Sequence, residues 1–96
     1  MILGFQNRLT EDIFNGDDTK AARTIPRSIW KVANRKLDMI NAARDVQDLK
    51  VPPGNRLEML KGERKGWYSI RLNDQYRIVF HWKEGNAKDV GITDYH

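Results

Sequence analysis

The chain has no cysteine among its 96 residues, which removes disulfides, thiolate metal sites and a cysteine nucleophile together. It has two histidines, His81 and His96, and its carboxylates are scattered without metal-ligand spacing, so no metal site is expected. No glycine-rich loop runs into a helix, which argues against a nucleotide cradle. Ser69 lacks a neighbouring base and orienting acid for hydrolase chemistry. No motif calls for a cofactor. Long apolar runs are also missing: "MILGFQNRL" meets charge too soon for a signal peptide, and nothing approaches membrane-spanning length. A cytoplasmic protein with no membrane partner is the expectation.

Acidic residues are the minority, 13 against 17 lysines and arginines, for a formal charge of +4. The pI of about 9.6 lies above the level that flags nucleic-acid binding in a small domain. The length suits one domain over residues 1–96, and the ordinary apolar content predicts a packed fold.

"MILGFQ" alternates weakly and reads as a first strand. "LTEDIFNG" reads as a short helix with Thr10 as N-cap and Gly16 as its stop. Pro26 suits the first turn of a longer helix to about Ala43, on which Ile29, Val32, Ala33, Leu37, Ile40 and Ala43 form one stripe. "VPPGN" breaks that pattern, and the period then falls to two. "RLEML", "WYSIRL", "YRIVFHW" and "DVGITDY" read as four strands whose short connections make them antiparallel neighbours. The expected fold class is α+β: a small, mostly antiparallel sheet with two N-terminal helices packed on one face.

Hairpin arithmetic then gives a register. A tip at Gly85 and Asn86 sets Arg77 opposite Asp94. A loop over Asn73–Gln75 sets Arg71 opposite Arg77, and a loop over Lys61–Gly66 sets Arg56 opposite Arg71. Alternation puts Leu57, Met59, Tyr68, Ile70, Leu72, Tyr76, Ile78, Phe80 and Trp82 on an apolar face. Arg56, Glu58, Trp67, Ser69, Arg71, Arg77, His81, Asp94 and His96 fall on the other, interrupted by Val79 and Ile92. Arginines side by side repel, and Asp94, Glu58 or a bound phosphate would relieve them.

These residues suit metal-free RNA cleavage, in which the 2′-OH attacks the adjacent phosphate. That reaction needs a base, a cation for the charge gathering on phosphorus, and an acid for the leaving 5′ oxygen. His96 and Glu58 are candidate proton carriers, with Arg77, Arg71 and Lys61 as candidate cations. Tyr95 can donate a hydrogen bond or stack under a base, and Asp94 can orient His96 or hold an arginine. Arg56, Arg64 and Lys65 are further candidate RNA-binding cations, while Asn73 and Gln75 at a hairpin tip can read a base edge. His81 reads as a surface histidine beside the Trp82 anchor.

The run "PPGNRLEMLKGERKGWYSIRLNDQYRIVF" with the terminal "DYH" resembles the HigB-type toxins of the RelE/ParE superfamily of bacterial toxin–antitoxin systems. The helical "VANRKLDMINAARDVQDLKVPPGNR" also fits, and the first twenty-odd residues fit loosely. The resemblance implies a RelE-like fold, a small twisted sheet on two N-terminal helices. It also implies a ribosome-dependent mRNA endonuclease that cuts in the A site without metal or cofactor. The implied partner is a helix-turn-helix antitoxin of the HigA type, and operator DNA is met only through that complex. Carried over by motif, Lys61 matches the lysine of "LKG", Arg77 the strand arginine, and Asp94, Tyr95 and His96 the terminal triplet. Glu58 departs from the pattern, because some members carry histidine there, and this leaves the assignment of base and acid open. A ParE-like gyrase inhibitor and an RNA- or ribosome-binding module without chemistry are the alternative readings.

Overall fold

The computed structural model describes residues 1–62 and 65–94. Helix α1 (Arg8–Asn15) is capped by Asn7, not by Thr10 as the sequence led us to expect. The Asn7 Oδ1 accepts from the Thr10 amide at 3.2 Å and from its hydroxyl at 2.7 Å. Thr10 instead lies buried in the first turn, where its hydroxyl accepts from the Ile92 amide at 3.0 Å. Asparagine caps a helix at least as well as threonine, so the cap moves outward and the hydroxyl is released to bind the sheet. Gly16 closes the helix in the left-handed conformation, as expected.

After Pro26, Arg27–Ile29 form a 3₁₀ turn that leads into α2 (Trp30–Ala42). The expected stripe is buried: Ile29, Ala33, Leu37, Ile40 and Ala43 all reach the core, with Val32 packed at its edge. Lys36 is buried with them.

The strands are β1 (Glu58–Met59), β2 (Trp67–Arg71), β3 (Tyr76–Lys83) and β4 (Asn86–Asp94), in the order β1-β2-β3-β4 and antiparallel throughout. Two helices and this sheet make the fold α+β. The "MILGFQ" segment adds two isolated parallel bridges to β4, Ile2 to Ala87 and Phe5 to Val90. The first strand is shorter than "RLEML" because Arg56 takes a left-handed backbone (φ 46°) after a 3₁₀ turn at Pro53–Asn55.

Ile70, Ile78, Phe80, Ala87, Val90 and Ile92 line the helix-side face and join Leu37 and Ile40 in one core. Burying one such side chain contributes about 1.5–3 kcal/mol. Ile92 therefore belongs to the core, not to the open face where the sequence register had set it. Among the described residues no helix is long and apolar enough to cross a membrane.

Candidate functional site

The open face of the sheet carries three cross-strand rows. Arg71, Arg77 and Thr93 form the first, Ser69, Val79 and Gly91 the second, and Trp67, His81 and Lys88 the third. Glu58 faces Ser69 from β1.

The first hairpin register is as the sequence indicated, with Arg71 opposite Arg77. The last hairpin differs. Its tip is Glu84–Gly85, both with positive φ (54° and 79°), and Lys83 pairs with Asn86. Such a turn matches the strand twist, which sets the tip one residue earlier than Gly85–Asn86. Further along, Val79 pairs with Gly91 and His81 with Lys88, so β4 holds one extra residue at a bulge beside Asp89 (φ 51°). Turn and bulge together leave Thr93 opposite Arg77 and Asp94 opposite Tyr76. A one-residue slip exchanges faces. By register, Asp94 therefore belongs to the Tyr76 side of the sheet.

Arg77 is only 8% exposed. Its Nε donates to the Ser69 Oγ at 2.8 Å, and its Nη2 donates to the Arg56 carbonyl at 2.7 Å and to the Ser69 carbonyl at 3.3 Å. Hydrogen bonds from a charged donor contribute about 1.5–3 kcal/mol each, which offsets much of the cost of burying the guanidinium. The left-handed turn at Arg56 is what places that carbonyl beside Arg77. Arg56 thus reaches Arg77 through its backbone, while its side chain is exposed.

Arg71 pairs with the carboxylate of Asp74, a residue the sequence reading passed over. Among the described residues Glu58 makes no ion pair, so it does not neutralise the arginines as expected. Glu58, Lys61 and Lys65 are exposed at the edge. At the hairpin tip the Asn73 Oδ1 accepts from the Gln75 and Tyr76 amides at 2.8 and 2.7 Å. Its oxygen is spent on the turn. The Gln75 Nε2 donates to the Asp94 Oδ2 at 3.0 Å, which ties Asp94 to the tip. Arg64, Tyr95 and His96 lie outside the described residues. Among the described residues no three histidine, aspartate or glutamate side chains gather as a metal group.

Lys36 approaches from the helix side. Its Nζ donates to the Arg71 carbonyl at 2.6 Å, clamping α2 to the end of β2. Burial pushes its ammonium below the usual lysine range, and Arg35, Arg71 and Arg77 add to the effect. Helical arithmetic could have found it, because residue 36 lies three after Ala33 and four before Ile40. Gln6 was missed for want of any local signal. Its amide lies on Gly91, 2.7 Å from where a Cβ would stand.

Residues 3–96 match the family model described as the RelE-like toxin of the type II toxin–antitoxin system HigB. The chain belongs to the HigB-like toxin family. It is 46% identical over 95 residues to Toxin HigB-1 of Vibrio cholerae, an alignment that covers 99% of this chain and 98% of that one. It is 33% identical over 96 residues to Endoribonuclease HigB of Proteus vulgaris, covering all of both chains. An uncharacterized protein of Haemophilus influenzae is 41% identical over 71 residues, 74% of this chain and 70% of that one. Nearly the whole HigB-like chain is thus matched, so both the open face and the helix side fall within the family region.

Proposed function

We propose that this HigB-like toxin is a metal-independent endoribonuclease that cuts message in the ribosomal A site, with the open sheet face as its RNA platform. The observation that carries this reading is Arg77, a guanidinium held in one orientation by Ser69 and the Arg56 carbonyl within a cationic row. The full-length likeness to a protein named Endoribonuclease HigB supports it. In this reading the domain is the whole of 1–96, with a twisted RelE-like sheet, and it acts in the cytoplasm.

The chemistry follows from the charge that must be moved. The 2′ oxygen of the message attacks the adjacent phosphorus and the 5′ oxygen leaves, giving a 2′,3′-cyclic phosphate and a 5′ hydroxyl. Negative charge builds on the non-bridging oxygens, where Arg77 and Arg71 meet it. A fixed donor of this kind contributes about 10²–10³ in rate, because it needs no rearrangement as charge develops. His96 and Glu58 are the proton carriers, Tyr95 supports the base or the phosphate, and Asp94 orients the tip through Gln75. Lys61, Arg56, Arg64 and Lys65 draw in the RNA backbone, and Asn73 with Gln75 meets a base edge. A helix-turn-helix antitoxin of the HigA type restrains the toxin, and operator DNA is met only through that complex.

Purified protein should cut message on programmed ribosomes in the presence of a chelator, leaving cyclic phosphate ends that primer extension maps. Intact message under those conditions, with gyrase supercoiling inhibited instead, would overturn the reading.

A further inference from the structure

Trp67 and His81 are two half-buried rings on the open face that take no part in the core. They are direct cross-strand partners with ring centroids 5.3 Å apart, tilted at 58°. The other two tryptophans, Trp30 and Trp82, pack against the core, whereas Trp67 and His81 do not. Gly66 lies beside this pair. Gly66 has φ +86°, and a Cβ there would come within 2.9 Å of the His81 Nε2. A side chain at 66 would require the imidazole to shift.

The position of the pair matters more than its packing. It lies two rows from Arg71 and Arg77 on the same face, four residues of strand or about 13 Å away. In the row between, Ser69, Val79 and Gly91 are buried, and the Gln6 amide lies over Gly91. Lys88 faces His81 across β3 and β4, and Lys65 stands just before Gly66; both are exposed. Neither makes an ion pair among the described residues. Cations at both ends and a half-buried ring pair between them match what single-stranded RNA presents. Its backbone charge calls for lysine and arginine, and its base faces call for aromatic surface.

We propose that Trp67, steadied by His81, stacks one nucleobase of the RNA strand whose scissile phosphate rests on Arg77. This rests on the open face being the RNA platform, and it adds the place where the strand is gripped beside the cut. A purely structural cross-strand pair would not need the exposed Lys88 in register beside it. Because every base has a π face, the grip is tolerant of sequence.

The test is a cycle on programmed ribosomes, combining wild type, Trp67→Ala and Trp67→Phe with messages carrying a normal or an abasic residue at each position flanking the cut. Stacking of one base is worth about 1–3 kcal/mol, or roughly 5- to 150-fold. Wild type should lose about that factor in kcat/KM when one particular flanking base is removed. Trp67→Ala should already be slowed by the same factor and lose nothing more at that position. Trp67→Phe should keep most of the sensitivity. If Trp67→Ala does not fold, Trp67→Leu keeps apolar bulk on the sheet without the π face and should behave as described for alanine. Losses that multiply independently at every flanking position would overturn the stacking site while leaving the nuclease reading intact. Failure of wild type to cut any message would instead sink the nuclease reading, and the stacking site with it.

Discussion

The two faces of one sheet solve opposite problems. On the helix side Ile70, Ile78 and Phe80 are fully buried, and their stabilisation comes from area removed from water. On the open side Ser69 and Arg77 are buried nearly as deeply, but what holds them is a set of directed hydrogen bonds. Apolar burial tolerates a change of shape, within limits, whereas a buried guanidinium tolerates no lost partner. The first face should therefore control stability and the second activity. Lys36 crosses between the two, a cation placed on the apolar side to hold the backbone of the other.

This contrast can be broken or sharpened by substitution. Phe80→Ala should have the largest effect on stability, about 3–5 kcal/mol in denaturant unfolding, through lost transfer and the cavity left behind. A loss under about 1 kcal/mol would mean that the helix side is not the stabilising face. Ser69→Ala leaves the Arg77 Nε without its side-chain acceptor, at a cost of about 1–3 kcal/mol. If that cost falls on the charge-stabilising geometry, kcat for message cutting should drop about tenfold with KM little changed. A change in KM alone would make Ser69 a binding residue instead.

Lys36→Met tests the crossover through pH. Lys36 carries a lowered folded pKa against 10.5 for the free side chain. Between those values the unfolded chain binds more protons than the folded one, so wild-type stability should rise with pH across that window. The methionine variant lacks this rise, and the gap between the two unfolding midpoints should shift in wild type's favour as pH increases. Parallel midpoints at neutral and alkaline pH would mean that Lys36 is not strained by burial.

The smallest effect belongs to Asp18, whose carboxyl is held low chiefly by Arg23 and then Arg27. Its contribution is present above 3.8 and fades as pH falls through the lowered folded value. Asp18 is exposed and the pairs are screened by salt, so Asp18→Asn should change the midpoint only slightly, and only at low ionic strength. A large change that persists in high salt would contradict this.

How much of this could be read from the residues alone depends on which hairpin is considered. The β2–β3 hairpin was legible because its loop is short and both strands alternate cleanly, so Arg71 falls opposite Arg77. The β3–β4 hairpin was not. Its turn puts Glu84, a residue with no marked preference for positive φ, in the left-handed region, and the bulge beside Asp89 adds a residue to β4. Two local irregularities therefore moved Asp94 from the arginine row to the Tyr76 side. The depth of Arg77 was hidden for a different reason. Among its partners are Ser69, on the neighbouring strand, and the Arg56 carbonyl, and a backbone carbonyl leaves no trace in side-chain patterning. The helices were read well because their stripes and stops are local, and Asn7 displaced Thr10 as cap by only three positions.

The central claim is that the oriented guanidinium of Arg77 does chemical work on RNA. The most direct measurement is message cutting on programmed ribosomes by Arg77→Lys, with folding of the variant checked by its unfolding curve. A lysine keeps the charge but loses the fork that Ser69 and Arg56 fix. The account predicts a folded protein whose kcat falls by about 10²–10³. A folded Arg77→Lys protein that cuts message at the wild-type rate would contradict it.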